Sequence, residues 1–116
     1  MMRVEHIQLA IPKGTERLCR PFWLKLGFVE LPKPEGLAGR GGLWFRNGAV
    51  ELHLGVDPAF APATKAHPGL AVPELDPLAR ALADIGAPVE WDAAIGGRRR
   101  FFTKDPVGNR LEFQES

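Results

Sequence analysis

The sequence predicts an α+β fold in which two βαβββ modules build a concave, partly open mixed sheet. Two observations carry this reading. Short segments alternate apolar and polar residues, as half-buried strands do, and between them lie two segments of helical spacing closed by glycines. The same order of segments then occurs twice. Val50-Glu51-Leu52-His53-Leu54 has a counterpart 61 residues later around Leu111-Glu112-Phe113-Gln114, and the same offset carries His6 onto His67. In each copy the His and the Glu stand 45 residues apart.

Residues 4–11 place Ile7, Leu9 and Ile11 on one face and His6, Gln8 and Ala10 on the other, which reads as the first strand. Pro12-Lys13-Gly14 ends it. Thr15 is placed to cap a helix running to Leu26, with Leu18, Phe22 and Leu26 four residues apart. Pro21 falls inside that helix at a cost of about 3 kcal/mol, so a kink or restart is expected there. Gly27 suits the C-terminal end. Residues 28–31 read as a short strand and 32–40 as a loop rich in Pro and Gly. Residues 42–45 and 49–55 then pair as a hairpin across Arg46-Asn47-Gly48.

The second copy repeats the order. Residues 65–72 form a strand with Leu70 and Val72 opposite His67, Gly69 and Ala71. Asp76 caps a helix with Pro77 at its first position and Gly86 after its end. Residues 89–91 are a short strand, 92–97 a loop and 99–103 another strand. Asp105-Pro106-Val107-Gly108-Asn109 turns the chain into the final strand, Asn109 to Gln114. The expected organisation is a single domain over 1–116, with modules at 1–56 and 65–116 and a linker at 57–64.

A chain of 116 residues with 45% hydrophobic residues can bury a core, and a formal net charge of +1 gives no general case for nucleic acid or an anionic membrane. Arg98-Arg99-Arg100 is the one basic run; it reads first as a solvated strand start or hairpin, with phosphate binding and cations at the rim of a pocket for an anionic substrate as the alternatives. No apolar run is long enough to span a bilayer, and Met1 to His6 lacks the apolar core of a signal peptide. The one cysteine, Cys19, excludes an internal disulfide. A cytoplasmic location is the default expectation.

If the apolar strand faces pack under the helices, the other faces carry His6, Gln8, Glu51, His53, Lys65, His67, Arg110, Glu112 and Gln114. Such a group must be wet, mutually paired or metal-bound, because unpaired buried charge is costly. Two imidazoles and two carboxylates suit a divalent ion such as Zn, Ni, Fe, Mn or Co. Glu51 and His53 point the same way two positions apart, so either is a candidate ligand; the repeat favours Glu51 and leaves His53 as an orienting or acid–base group.

The chain resembles the vicinal oxygen chelate superfamily, which includes glyoxalase I, bleomycin-resistance proteins, fosfomycin-resistance thiol transferases, methylmalonyl-CoA epimerase and extradiol dioxygenases. The resemblance rests on Val4-Glu5-His6-Ile7-Gln8-Leu9-Ala10-Ile11, Phe22-Trp23, Leu26-Gly27-Phe28 and Val50-Glu51-Leu52. It also rests on His67-Pro68-Gly69-Leu70-Ala71-Val72 and Asp105-Pro106-Val107-Gly108-Asn109-Arg110-Leu111-Glu112-Phe113. It implies paired βαβββ modules, often in a homodimer whose sites draw on both subunits. Glyoxalase I-like members take four metal ligands from positions matching His6, Glu51, His67 and Glu112. The thiol transferases and dioxygenases use three, matching His6, His67 and Glu112, and bleomycin-binding members sequester the drug without catalytic metal. The chain departs from glyoxalase I in its short loops, with no segment assignable to glutathione, coenzyme A or K⁺. Pro68 is also unusual for a central strand and points to a strand start or a sheet edge.

The leading expectation is a metal-dependent lyase or isomerase that chelates vicinal oxygens of a small molecule and stabilises an enolate or oxyanion. Glu51 or Glu112 is the expected proton-transfer base, by analogy with isomerising members. Lys65 and Arg110, with Arg40, Arg99 or Arg100, are candidates to attract an anionic substrate group, and Trp44, Phe101 and Trp91 to wall the site or pack the core. The alternatives are a metal-free protein that sequesters a small molecule or antibiotic, and an Fe(II) dioxygenase or thiol transferase using two His and one Glu.

Overall fold

The computed structural model describes residues 1–92 and 97–116. The loop expected at 92–97 therefore lies largely outside the described residues. The chain divides into two compact units, Met1–Ala61 and Pro62–Ser116.

Unit 1 runs β1 (Ile7–Ile11), α1 (Glu16–Lys25), β2 (Val29–Leu31), a 3₁₀ turn (Glu35–Arg40), β3 (Leu43–Asn47) and β4 (Val50–Val56). Unit 2 runs β5 (Gly69–Val72), α2 (Leu75–Asp84), β6 (Glu90–Asp92), β7 (Arg100–Lys104) and β8 (Arg110–Glu115). Each unit is thus βαβββ. The strands form a four-stranded sheet in each, ordered β1-β4-β3-β2 and β5-β8-β7-β6. The first pair in each sheet is parallel and the other pairs antiparallel, so both sheets are mixed.

Strand alternation puts one face of each sheet into a core. Unit 1 buries Ile11, Leu43, Phe45, Leu52 and Leu54 with Phe22 and Trp23 of α1. Unit 2 buries Leu70, Phe101, Leu111 and Phe113 with Leu75 and Leu82 of α2. Each such side chain stabilises its unit by about 1.5–3 kcal/mol relative to exposure. Phe101, a candidate wall of the site, is core, whereas Trp91 is exposed with the Arg99 guanidinium over its ring.

Both helices end alike. Gly27 and Gly86 take positive φ, and their N–H groups bond Leu24 O and Ala83 O. Phe28 N and Ala87 N reach back to Trp23 O and Leu82 O. This Schellman arrangement satisfies carbonyls the helix leaves open, and Phe28 packs edge-on against Trp23 at 5.3 Å. The starts differ from expectation. Thr15 Oγ1 donates to Pro12 O instead of capping. Glu74, not Asp76, occupies the N-cap of α2, so Asp76 lies in the first turn and binds Arg99. Helix α1 continues through Pro21, which is exposed, so water can serve the Arg17 carbonyl that loses its donor.

Two strand boundaries matter for function. The strands expected at 4–11 and 65–72 begin only at Ile7 and Gly69, leaving His6 and His67 just outside them. Pro68 has no N–H to donate, and β5 is an edge strand, so the ladder starts after it. The register also corrects the repeat. Leu52 and Phe113 are 61 apart, but their partners Ile7 and Leu70 are 63 apart. Extending the β1 ladder by one rung sets His6 level with Glu51, whereas Gly69, not His67, is level with Glu112.

Candidate metal centre

In unit 1 the rungs of β3 and β4 pair Arg46 with Glu51 and Trp44 with His53. Glu51 accepts from Arg46 Nη2 at 2.6 Å on one oxygen and lies 2.7 Å from His53 Nε2 on the other. The Trp44 and His53 rings stack at 3.9 Å with 2° between planes, and His6 stacks on His53 at 4.3 Å. Since β4 lies between β1 and β3, His53 is held between the two rings and is 5% exposed. His6 Nδ1 meets Glu5 Oε1 at 2.6 Å. Gln8 shares a rung with His53, but its amide lies over Gly55.

In unit 2 Glu112 is 4% exposed. His67 Nε2 approaches its Oε1 at 2.9 Å, Gln114 Nε2 donates to its Oε2 at 2.6 Å, and Arg100 Nη1 stands 3.5 Å away. His67 Nδ1 faces Lys65 O at 2.9 Å; Arg110 Nη1 bonds the same carbonyl at 3.2 Å and passes Nδ1 at 3.4 Å. Lys65 meets His67 and Arg110 through its backbone carbonyl.

The two carboxylates are held by one device. Each receives a polar group from two residues along its own strand, His53 or Gln114, and an arginine from the hairpin partner strand. The His53 and Arg46 bonds hold Glu51 below the usual carboxylate range. For Glu112 the largest influence is burial, which raises its pKa, but Gln114, His67 and Arg100 together outweigh it and the net shift is downward. Both are ionised at neutral pH.

These groups fit a divalent ion in their chemistry. A neutral imidazole has one N–H and one lone pair. His6 and His67 each turn Nδ1 to an oxygen, Glu5 Oε1 or Lys65 O; with the ring proton on Nδ1, Nε2 keeps its lone pair. Metal-binding histidines are commonly fixed this way. In His67 that lone pair then faces Glu112 Oε1 at 2.9 Å, an arrangement that needs a cation or a proton between them. Adjacent ligands of an octahedral ion at about 2.1 Å stand about 3.0 Å apart. Among the described residues no three His, Cys, Asp or Glu side chains come together as a metal cluster; within each unit the donors stand in pairs.

Sequence reasoning missed Glu5 and Arg46. The sequence reading put Arg46 in the hairpin turn; the turn is Gly48-Ala49, so Arg46 belongs to β3 and stands opposite Glu51. The Arg98 to Arg100 run is neither free nor simply solvated: its members bind Gln114, Asp76 and Asp92 in turn.

A crystallised glyoxalase family protein from Bacillus anthracis superposes with a TM-score of 0.93 at 41% identity, covering 100% of this chain and 96% of that one. The chain belongs to the vicinal oxygen chelate superfamily. More distant members share its fold. The fosfomycin resistance protein FosX from Listeria monocytogenes has a TM-score of 0.79 at 12% identity over 100% of this chain and 94% of that one, and a single-substitution mutant of it has been crystallised with Mn(II) and 1S,2S-dihydroxypropylphosphonic acid. TnmS3, an antibiotic-binding protein from Streptomyces sp. CB03234, has a TM-score of 0.70 at 19% identity over 99% and 98%. No protein-family model and no curated protein matches the sequence. Among the described residues no helix is long and apolar enough to cross a membrane.

Proposed function

We propose that this superfamily member is a metal-dependent enzyme acting on a small molecule, with lyase or isomerase chemistry of the glyoxalase type. His6 and His67 would hold a divalent cation (Zn, Ni, Mn, Co or Fe) through Nε2, with Glu51 and Glu112 as carboxylate ligands. His53 and Gln114 orient those carboxylates. The observation that carries the reading is the shared orientation of His6 and His67, each with Nδ1 turned to an oxygen so that Nε2 is left to bind. When bound, the ion would supply a positive charge for vicinal substrate oxygens and for the negative charge that develops during reaction.

The protein's own residues supply the rest. Either carboxylate, when not bound to the ion, can take a proton from carbon and return it to the neighbouring position. Its depressed pKa keeps it ionised for the first step. The stack of Trp44 on His53 fixes the group that aims Glu51. The reading extends to a homodimer, which light scattering tests.

Elemental analysis of protein purified without tag or chelator tests the assignment, alongside His67→Ala. About one equivalent of metal per site in wild type, lost in the variant, is expected. No metal, together with no thermal shift on adding Zn, Ni, Mn, Co or Fe(II), would instead favour a metal-free protein that sequesters a small molecule.

A further inference from the structure

Beside the His67–Glu112 pair lies a cation the proposed chemistry does not use. Arg110 is half-buried, and its guanidinium lies 4.2 Å over the Phe102 ring. Among the described residues it has no carboxylate within ion-pair distance, unlike Arg46, Arg99 and Arg100. Its one strong anchor is the Lys65 carbonyl, bonded through Nη1, which leaves the other edge of the guanidinium fork free. Lys104 stands directly opposite on the β7–β8 ladder. Like charges facing one another across strands destabilise a sheet unless an anion joins them. Arg110 and Lys104 line a small cavity of about 30 Å³ with Phe102, Thr103, Pro88 and Glu90. That is room for a water-sized group such as one oxygen of an oxyanion. Glu90 shares the lining but makes no ion pair with either cation among the described residues. Phe102 also packs edge-on against the His67 ring at 5.3 Å, so this cavity adjoins the imidazole.

We propose that Arg110, with Lys104 beside it, reads an oxyanion on the substrate, a carboxylate or a phosphonate, and so sets which small molecules reach Glu112. The role as substrate reader rests on the enzyme reading above; the anion pocket itself does not. Phe102 supports the guanidinium from its ring face at 4.2 Å, and arginine's two-pronged donation to an oxyanion outperforms a lysine's.

The test is an NMR titration of the full chain with acetate and, separately, methylphosphonate, each with EDTA and then with added Zn. Arg110→Gln is expected to weaken binding of the preferred probe by about 10-fold or more, the value of a lost charged hydrogen bond. Arg110→Lys should fall between, and Arg17→Gln, which removes the same charge from α1, should match wild type. The probe that binds more tightly identifies the oxyanion. Equal affinity in wild type and Arg110→Gln, or an equal loss in Arg17→Gln, overturns the proposal. If Arg110→Gln does not fold, the wild-type and Arg110→Lys comparison carries the same test. Probe binding that persists in EDTA while the chain takes up no metal would sink the enzyme reading and leave the anion pocket standing. Metal uptake without an Arg110-dependent anion site would do the reverse.

Discussion

The two units share a backbone plan but furnish their polar faces differently. Unit 1 surrounds its carboxylate with rings: Glu51 is aimed by His53, which is clamped between Trp44 and His6. Unit 2 has an amide in place of that ring, Gln114 on Glu112, while His67, the counterpart of His6, contacts the carboxylate directly; an arginine, Arg46 or Arg100, is common to both. The difference has a backbone origin. Residue 6 is level with Glu51, but the two-residue slip of the β5 ladder gives the equivalent place to Gly69 and sets His67 further back. What both units keep is a carboxylate steered from two positions along its own strand. The constant part is the aim of the acid; the variable part is what lies around it.

Removing the acids tests that distinction most severely. Glu112→Gln is expected to lower metal-dependent turnover by about 10²-fold or more, the usual value of a general base. Glu51→Gln should cost less, because Glu51 is more exposed than Glu112, with side-chain exposures of 15% and 6%. Steady-state kinetics on both variants decides the matter. Turnover that survives Glu51→Gln intact would point to the three-donor set of His6, His67 and Glu112.

The next effect concerns stability. The turn after β7 is folded around Asp105, whose Oδ1 accepts from Val107 N and Asn109 N and whose Oδ2 accepts from the Asn109 amide. Asp105→Ala removes these three hydrogen bonds from the turn and should destabilise the protein by about 2–4 kcal/mol in urea melts. A variant as stable as wild type would show that the turn does not depend on this carboxylate.

The pH dependence separates two buried acids of opposite sign. Glu112 is depressed below its ordinary 4.5, so its contribution to stability is present above that value and is lost as pH falls through the lower folded value. Burial pushes Asp105 up from 3.8, against the Asn109 and backbone hydrogen bonds, so its contribution is present below 3.8 and is lost as pH rises through the higher folded value. Glu112→Gln should therefore flatten the loss of stability below about pH 4.5, read from urea midpoints between pH 3 and 7. An unchanged acid limb would contradict this.

The smallest effect is an exchange between the units. His53→Gln installs the residue that unit 2 uses, keeps a donor for Glu51 and removes the ring stack; metal affinity is expected to fall about 10-fold. A larger loss, equal to that of His53→Ala, would mean the imidazole is itself a ligand.

Much of this was legible in the linear chain. Alternation placed Glu51, His53, Glu112 and Gln114 on their polar faces, because strand parity is a local property that needs no partner. Gly27 and Gly86 marked both helix ends through their backbone freedom alone. The repeat of His and Glu pointed to two copies of one module. What the sequence by itself determined, then, was the order of elements, the face each side chain takes and the family.

Pairing decided the rest. The slip between offsets of 61 and 63 lies in which residues of β5 and β8 pair, and no single strand specifies that. Only the folded β3–β4 and β7–β8 ladders bring Arg46 onto Glu51 and Lys104 opposite Arg110. Only three dimensions show which oxygen each imidazole meets, because that depends on contacts between segments as far apart as Lys65, His67 and Glu112. Periodicity is written residue by residue, whereas register and hydrogen-bond partnership belong to pairs of segments and exist only after the chain has folded.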